Sequence, residues 1–152
     1  MRITVIAVGR IKAGPERTLA EHFQSRINWP VELREVEEKK KLPSSALRER
    51  EGALLLAACP PGATVVALDE HGKALASRDF ARRLGSWRDD GLAELAFVIG
   101  GADGLAKSVL DRAAQTISFG SMTWPHLLVR GMLFEQIYRA QQILAGHPYH
   151  RD

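Results

Sequence analysis

Three glycines and a carboxylate crowd into Gly100-Gly101-Ala102-Asp103-Gly104, directly after the apolar run 95–99 and directly before a helical pattern. Glycine there lets the backbone turn tightly, approach a ligand with no Cβ in the way and offer its N–H groups. In α/β proteins ligands bind at the carboxyl ends of strands, so this turn is a candidate cofactor loop; the same residues also suit a plain tight connection. The turn comes late in the chain. A dinucleotide-binding domain carries GxGxxG after its first strand, and neither that motif nor a P-loop is present. Any cofactor site must therefore be drawn largely from the C-terminal third.

A second set of reactive side chains follows. His126, Arg130, Glu135 and Arg139 lie on or beside the last long helical pattern. Glu135 and Arg139, four residues apart, read equally as a surface ion pair. The terminal run His147, Pro148, Tyr149, His150, Arg151 brings together a stacking ring, titratable imidazoles and a planar guanidinium. Those are the groups that hold an extruded nucleobase, although chain ends commonly fray. His147 and His150 have only Asp152 beside them, so no metal site is expected. Cys59, the single cysteine, precedes Pro60-Pro61; it rules out an internal disulfide and reads as a buried structural thiol.

The elements that must position these groups alternate. Residues 2–8 and 31–36 read as strands, with an amphipathic stretch over 15–27 between them. Ser44 or Ser45 caps a helix that runs to Pro60, and 64–68 (TVVAL) reads as a strand buried on both faces, ending in the turn Asp69-Glu70-His71-Gly72. Ser77 caps a helix carrying Phe80, Leu84 and Trp87 on one face and stopping near Gly91. After the strand 95–99, a helix holds Leu105, Val109 and Ala113, then comes a short strand at 116–119. Pro125 suits the first turn of a final helix reaching about Gly146. The pattern predicts an α/β fold: one domain, 1–152, with a mostly parallel sheet and helices on both faces.

Composition narrows the class. The 152 residues are 45% hydrophobic and 26% charged, an ordinary globular balance. No apolar run approaches the roughly 18 to 20 residues of a membrane helix, and the N-terminal MRITVIAVGRIK alternates like a strand instead of resembling a signal peptide. A cytoplasmic protein with no membrane partner is expected. Net charge is +3 with a pI near 9.3, which permits a nucleic-acid partner without requiring one. The basic excess lies in residues 1–50, with 11 Lys and Arg against 7 Asp and Glu. Lys39, Lys40 and Lys41, then Arg48 and Arg50, fit either a solvated face or a phosphate-contacting patch.

The order and spacing of four segments carry a resemblance. VVALDEHGK at 65–73, VIGGADGL at 98–105, ISFGSMTWPHLLVRGMLFEQIYRAQQI at 117–143 and HPYHRD at 147–152 resemble the RlmH family, also called YbeA-like, of SPOUT-class methyltransferases. The likeness covers essentially the whole chain, strongest over 64–72 and 97–152 and loose before residue 60. GGxxG, PHxLxR, EQxYRA and a terminal HPYHR together are far more specific than any one of them.

The resemblance implies a deep C-terminal trefoil knot, which the rarity of knots would otherwise argue against, and a homodimer. It implies S-adenosylmethionine as methyl donor, with Leu68, Gly100, Phe119, Gly120, Ser121, Met122, Thr123 and Trp124 lining its pocket. Arg130, Glu135, Tyr149, His150 and Arg151 fall on the substrate side, with no metal. The implied reaction methylates N3 of a pseudouridine in 23S ribosomal RNA, at the position conventionally called 1915, on assembled ribosomes. A non-catalytic ribosome-binding or assembly factor on the same domain is the alternative. A hydrolase is a weaker one, having no serine elbow, metal quartet or P-loop to support it. The final helix carries Leu127, Leu128, Met132, Leu133, Phe134, Ile137, Ile143 and Leu144 around more than one face, which itself argues for a dimer.

Overall fold

Apolar runs rich in Val, Ile and Ala become strands covered on both faces, since such runs have no solvated side to spare. The computed structural model describes residues 1–151. Its strands are β1 (Arg2–Val8), β2 (Val31–Val36), β3 (Thr64–Ala74), β4 (Glu94–Ile99) and β5 (Gln115–Ser118), all pairing in parallel in the order β2-β1-β4-β3-β5. Parallel pairing needs a crossover each time. The helices are α1 (Pro15–Gln24), α2 (Ser44–Ala58), α3 (Ser77–Asp89), α4 (Lys107–Arg112) and α5 (His126–Leu144).

Alternation along β1 sends Ile3, Val5 and Ala7 to one face and Ile6 and Val8 to the other. The first face packs with Phe97, Phe80, Leu84, Leu133, Phe134 and Ile137, so α1, α3 and α5 cover it. On the second, Val65, Ala67 and Val98 meet Leu55 and Val109 of α2 and α4. The expected α/β sheet with helices on both faces is present, and every strand pair in it is parallel. Among the described residues no helix is long and apolar enough to cross a membrane. Cys59 is half-buried; its thiol donates to the Leu55 carbonyl at 3.4 Å, and burial pushes its pKa up.

Several local expectations are corrected. Neither Ser44 nor Ser45 caps α2; Pro43 holds that position without a side-chain bond, and helix begins at Ser44. Ser77 likewise starts α3, and its hydroxyl donates to Gln136 Oε1 at 2.9 Å, a partner 59 residues away that local pattern does not reveal. Helix α1 stops at Gln24, with Ile27 buried beyond it, and Leu105 and Ala113 flank α4 without belonging to it. The larger correction concerns Asp69-Glu70-His71-Gly72. These residues do not end β3: Leu68 and Lys73 both pair with Ile117 of β5, so 69–72 is an excursion from which the strand rejoins the same partner. A Cβ on Gly72 would lie 2.7 Å from the Ile117 carbonyl carbon, so only glycine allows that approach.

The last helix is also more internal than its composition suggests. Leu133, Phe134 and Ile137 are fully buried within the single chain, while Leu127, Leu128, Met132 and Ile143 are half-buried and Leu144 is exposed. The apolar excess expected to drive pairing thus shrinks to the second group.

Candidate active site

Because all five strands run the same way, the ends of β3, β4 and β5 open on one rim, where a cavity of about 290 Å³ lies. Its walls include Leu68, Gly100, Phe119, Gly120, Met122 and Trp124, six of the eight residues expected around a cofactor. Ser121 and Thr123 do not line it. Thr123 Oγ1 instead donates to Glu70 Oε2 at 3.2 Å, and Ser118 Oγ lies 3.2 Å from the Glu70 carbonyl. The excursion of β3 is thereby tied to the segment that follows β5, and together they form one wall.

Opposite stands the glycine turn. A Cβ on Gly100 would come within 2.8 Å of the Gly104 carbonyl oxygen, and Gly104 itself has φ +80°. The tight turn thus depends on both glycines. Met122 is 74% and Trp124 41% exposed, so apolar surface stands beside the opening. Three carboxylates belong to the same lining: Asp69, Glu70 and Asp103. Sequence reading took the first two for a turn and so missed them. His126, at the start of α5, also lines the cavity; burial, then the nearby Arg130 charge, pushes its pKa down, which favours a neutral ring.

Beneath the turn sits Glu51, which the sequence reading passed over. It is only 7% exposed, and its Oε1 has no hydrogen-bond partner among the described residues. A Cβ on Gly101 would lie 2.9 Å from its Oε2. Leu47, Glu51 and Leu55 follow at intervals of four along α2, the spacing that marks one helix face, and this was the available signal. Burial, reinforced by the Asp103 charge, pushes its pKa up. A carboxyl whose pKa is raised on folding contributes stability at low pH that is lost as pH rises through the folded value. Glu51→Gln should therefore stabilise the protein at pH 7 by about 1 kcal/mol, the order of an unsatisfied buried group. The gain should vanish below about pH 4, where free glutamate is itself protonated. Denaturant melts at the two pH values check it, and equal midpoints for variant and wild type at pH 7 would count against a buried orphan.

Arg130 departs furthest from expectation. Anticipated on the substrate side, it is 0% exposed. Its Nη2 donates to the Val8 carbonyl at 2.9 Å, and its Nη1 to the Gly9 carbonyl at 3.0 Å and to Glu35 Oε2 at 2.6 Å. Glu35 Oε2 also accepts the Ile11 N–H at 2.8 Å. This guanidinium clamps the ends of β1 and β2 and does not line the cavity.

The other substrate-side residues gather elsewhere on α5. Arg139 donates from Nε and Nη2 to Glu135 Oε1, and the same oxygen accepts Tyr149 Oη–H at 3.1 Å. The Arg139 guanidinium lies over the Tyr149 ring, 4.8 Å from its centroid, and that ring meets Tyr138 edge-on at 4.9 Å. Arg139 Nη1 is 3.1 Å from His150 Nδ1; a guanidinium has only donors, so Nδ1 accepts. The chain end is therefore seated on α5. Arg151 is exposed, and Asp152 lies outside the described residues. Burial, then the Glu135 charge, pushes the Tyr149 pKa up and keeps its hydroxyl a donor. None of Glu135, Tyr149, His150 and Arg151 lines the cavity of its own chain. Among the described residues no three His, Cys, Asp or Glu side chains converge as metal ligands would.

The five-stranded parallel sheet thus carries a cleft at its late glycine turn, with the segment that leads into the last helix along one side. The chain belongs to the SPOUT methyltransferase family, whose model, described as "Predicted SPOUT methyltransferase", matches residues 1–150. Within that class it groups with the proteins called ribosomal RNA large subunit methyltransferase H, as the four segments implied. The Rhodospirillum centenum protein of that name is 62% identical over 99% of both chains. The Rhodospirillum rubrum one is 50% identical over 100% of both. In fold the chain is similar to a probable methylase family protein from Haemophilus influenzae Rd KW20, with a TM-score of 0.60 at 12% identity, covering 99% of this chain and 70% of that one.

Proposed function

We propose that this protein transfers a methyl group from S-adenosylmethionine to N3 of a pseudouridine in 23S ribosomal RNA, acting on the ribosome as a homodimer with a knotted C-terminal segment. The family and full-length identity support the reaction class. The observation that carries the donor assignment is the cavity. Gly100 leaves the main chain bare, Leu68, Ile117 and Phe119 offer apolar contact for a nucleoside, and Asp69, Glu70 and Asp103 favour a ligand with positive charge. The donor supplies an electrophilic sulfonium methyl, so the protein's share is alignment and handling of the N3 proton.

On that side the chain's own chemistry is specific. Glu135 already accepts from Arg139 and Tyr149, so it orients the tyrosine hydroxyl and is a poor base. Tyr149 and Arg151 are suited to hold a base and favour its anion, and His150 stands beside them. Since this cluster is absent from the cavity of its own chain, a site shared between subunits is the arrangement we favour. Pairing would also cover Met122 and Trp124 together with the half-buried residues of α5.

Deleting residues 147–152 should leave donor binding and dimerisation intact, remove methyl transfer to ribosomes, and cost about 1 kcal/mol of stability through the lost Tyr138–Tyr149 contact. A purified mixed dimer, one chain lacking the tail and the other with a blocked cavity, should keep one working site. Full activity of the deleted homodimer would remove the tail from the mechanism; an inactive mixed dimer beside an active wild type would rule out the shared site.

A further inference from the structure

The rim that carries the cavity continues across the sheet. Ala7 pairs with Ile99 and Val8 with Val36, so the residues that follow β1 emerge beside the glycine turn that follows β4, and those that follow β2 lie one strand farther along the same rim. The link is direct: His126 lines the cavity, and its Nε2 would lie 3.5 Å from a Cβ on Gly9. Beyond Gly9 come Arg10 and Lys12, and after β2 come Lys39, Lys40 and Lys41, all exposed.

The carboxylates among them are already engaged. Glu35 is neutralised from inside by Arg130, Glu37 faces Arg10 at 3.6 Å, and Glu38 pairs with Arg50 at 2.7 Å. Lys12, Lys39 and Lys41 form no ion pair among the described residues, and Lys40 meets only the Glu38 that Arg50 already holds. A run of free ammonium groups on flexible stems, with no aromatic ring among them, suits phosphates spaced along a backbone better than the stacking or planar recognition of a base.

Resting on the RNA-methylating reading above, we propose that Lys12, Lys39, Lys40 and Lys41 form a phosphate track that holds the RNA strand flanking the target nucleotide as it enters the cavity. The track supplies register and counter-ion release, while the base is selected elsewhere. An overall charge of +3 is too small to capture RNA by itself, but four uncompensated lysines along the rim that carries the cavity concentrate the field on the path of the flanking strand.

The test replaces all four lysines with glutamine and compares methylation of intact ribosomes over a range of salt, with donor affinity measured alongside. We expect KM for ribosomes to rise about tenfold near physiological salt, with kcat and donor affinity within twofold of wild type. The slope of log affinity against log salt should fall by roughly 0.7 to 0.9 for each lysine that touches phosphate. Restoring positive charge with arginine at the four positions should recover the slope. Arg78→Gln, Arg82→Gln, Arg83→Gln and Arg88→Gln on α3, all at exposed positions, together remove the same four charges and should leave KM unchanged. An active wild type whose slope equals that of the glutamine variant overturns the track. So does a higher KM without a change in slope, which indicates a protein contact. A wild type that binds donor but methylates no ribosomal RNA overturns the underlying reading, and the track with it.

Discussion

Replacing Arg130 with alanine should destabilise the protein by about 3–5 kcal/mol, because it leaves the Glu35 carboxylate and two main-chain carbonyls without their buried cation. For a chain of this size that corresponds to a fall in Tm of roughly 10 °C. Lysine should rescue little, since one ammonium cannot span the Val8 and Gly9 carbonyls and Glu35 with the reach of a guanidinium fork. The thermal melt separates two roles. A substrate-side arginine would lose activity at unchanged Tm, whereas a clamp loses stability first. An alanine variant that melts with the wild type would return Arg130 to the substrate side.

Gly100→Val should weaken donor binding by at least a hundredfold, equivalent to about 3 kcal/mol. Its Cβ alone would meet the Gly104 carbonyl at 2.8 Å and Leu105 Cδ2 at 3.1 Å, so the turn must shift as well as fill. The fold itself should lose only about 1–3 kcal/mol, the usual range for overpacking. Titration calorimetry with S-adenosylmethionine and with its demethylated product reads the first number, and a denaturant melt the second. Wild-type affinity in the valine variant would place the donor somewhere other than this cavity. Absence of binding by the wild type at saturating donor would leave a ribosome-docking protein without transfer.

How far the sequence reaches depends on whether the cause is local. The bounds of β1 were legible because β-branched and apolar residues fill it without a break, those of β2 because Val31, Leu33 and Val36 mark a short run between Pro30 and the charged stretch 37–41, and Gly100 because a glycine turn after a buried strand has few other uses. Asp69 to Gly72 misled because its composition is that of a turn, whereas its path is set by Ile117, forty-five residues on. Ser77 misled in the same way, its hydroxyl turned toward Gln136 instead of its own helix. Arg130 sits in a motif that suggests chemistry, and only the three-dimensional meeting with Val8, Gly9 and Glu35 gives it a structural task. Six of the eight expected cavity residues line the cavity.

The position of α5 has a consequence for how the molecule is made. It follows β5 at one edge of the sheet, yet packs against both α1 and α3 and supplies Leu133, Phe134, Ile137 and Tyr138 to the core. A chain halted after β5 would hold its sheet with one face covered only by α1 and α3, and the ends of β1 and β2 would lack their cation. Contacts spanning 121 and 122 residues, as between Arg130 and the first strand, are slow to form because a long loop must close before they reward it. During synthesis the five strands must therefore wait, part of one apolar face exposed, until α5 has been made. Maturation of this protein should be concerted and late, with its greatest exposure to chaperones and proteases just before the final helix docks.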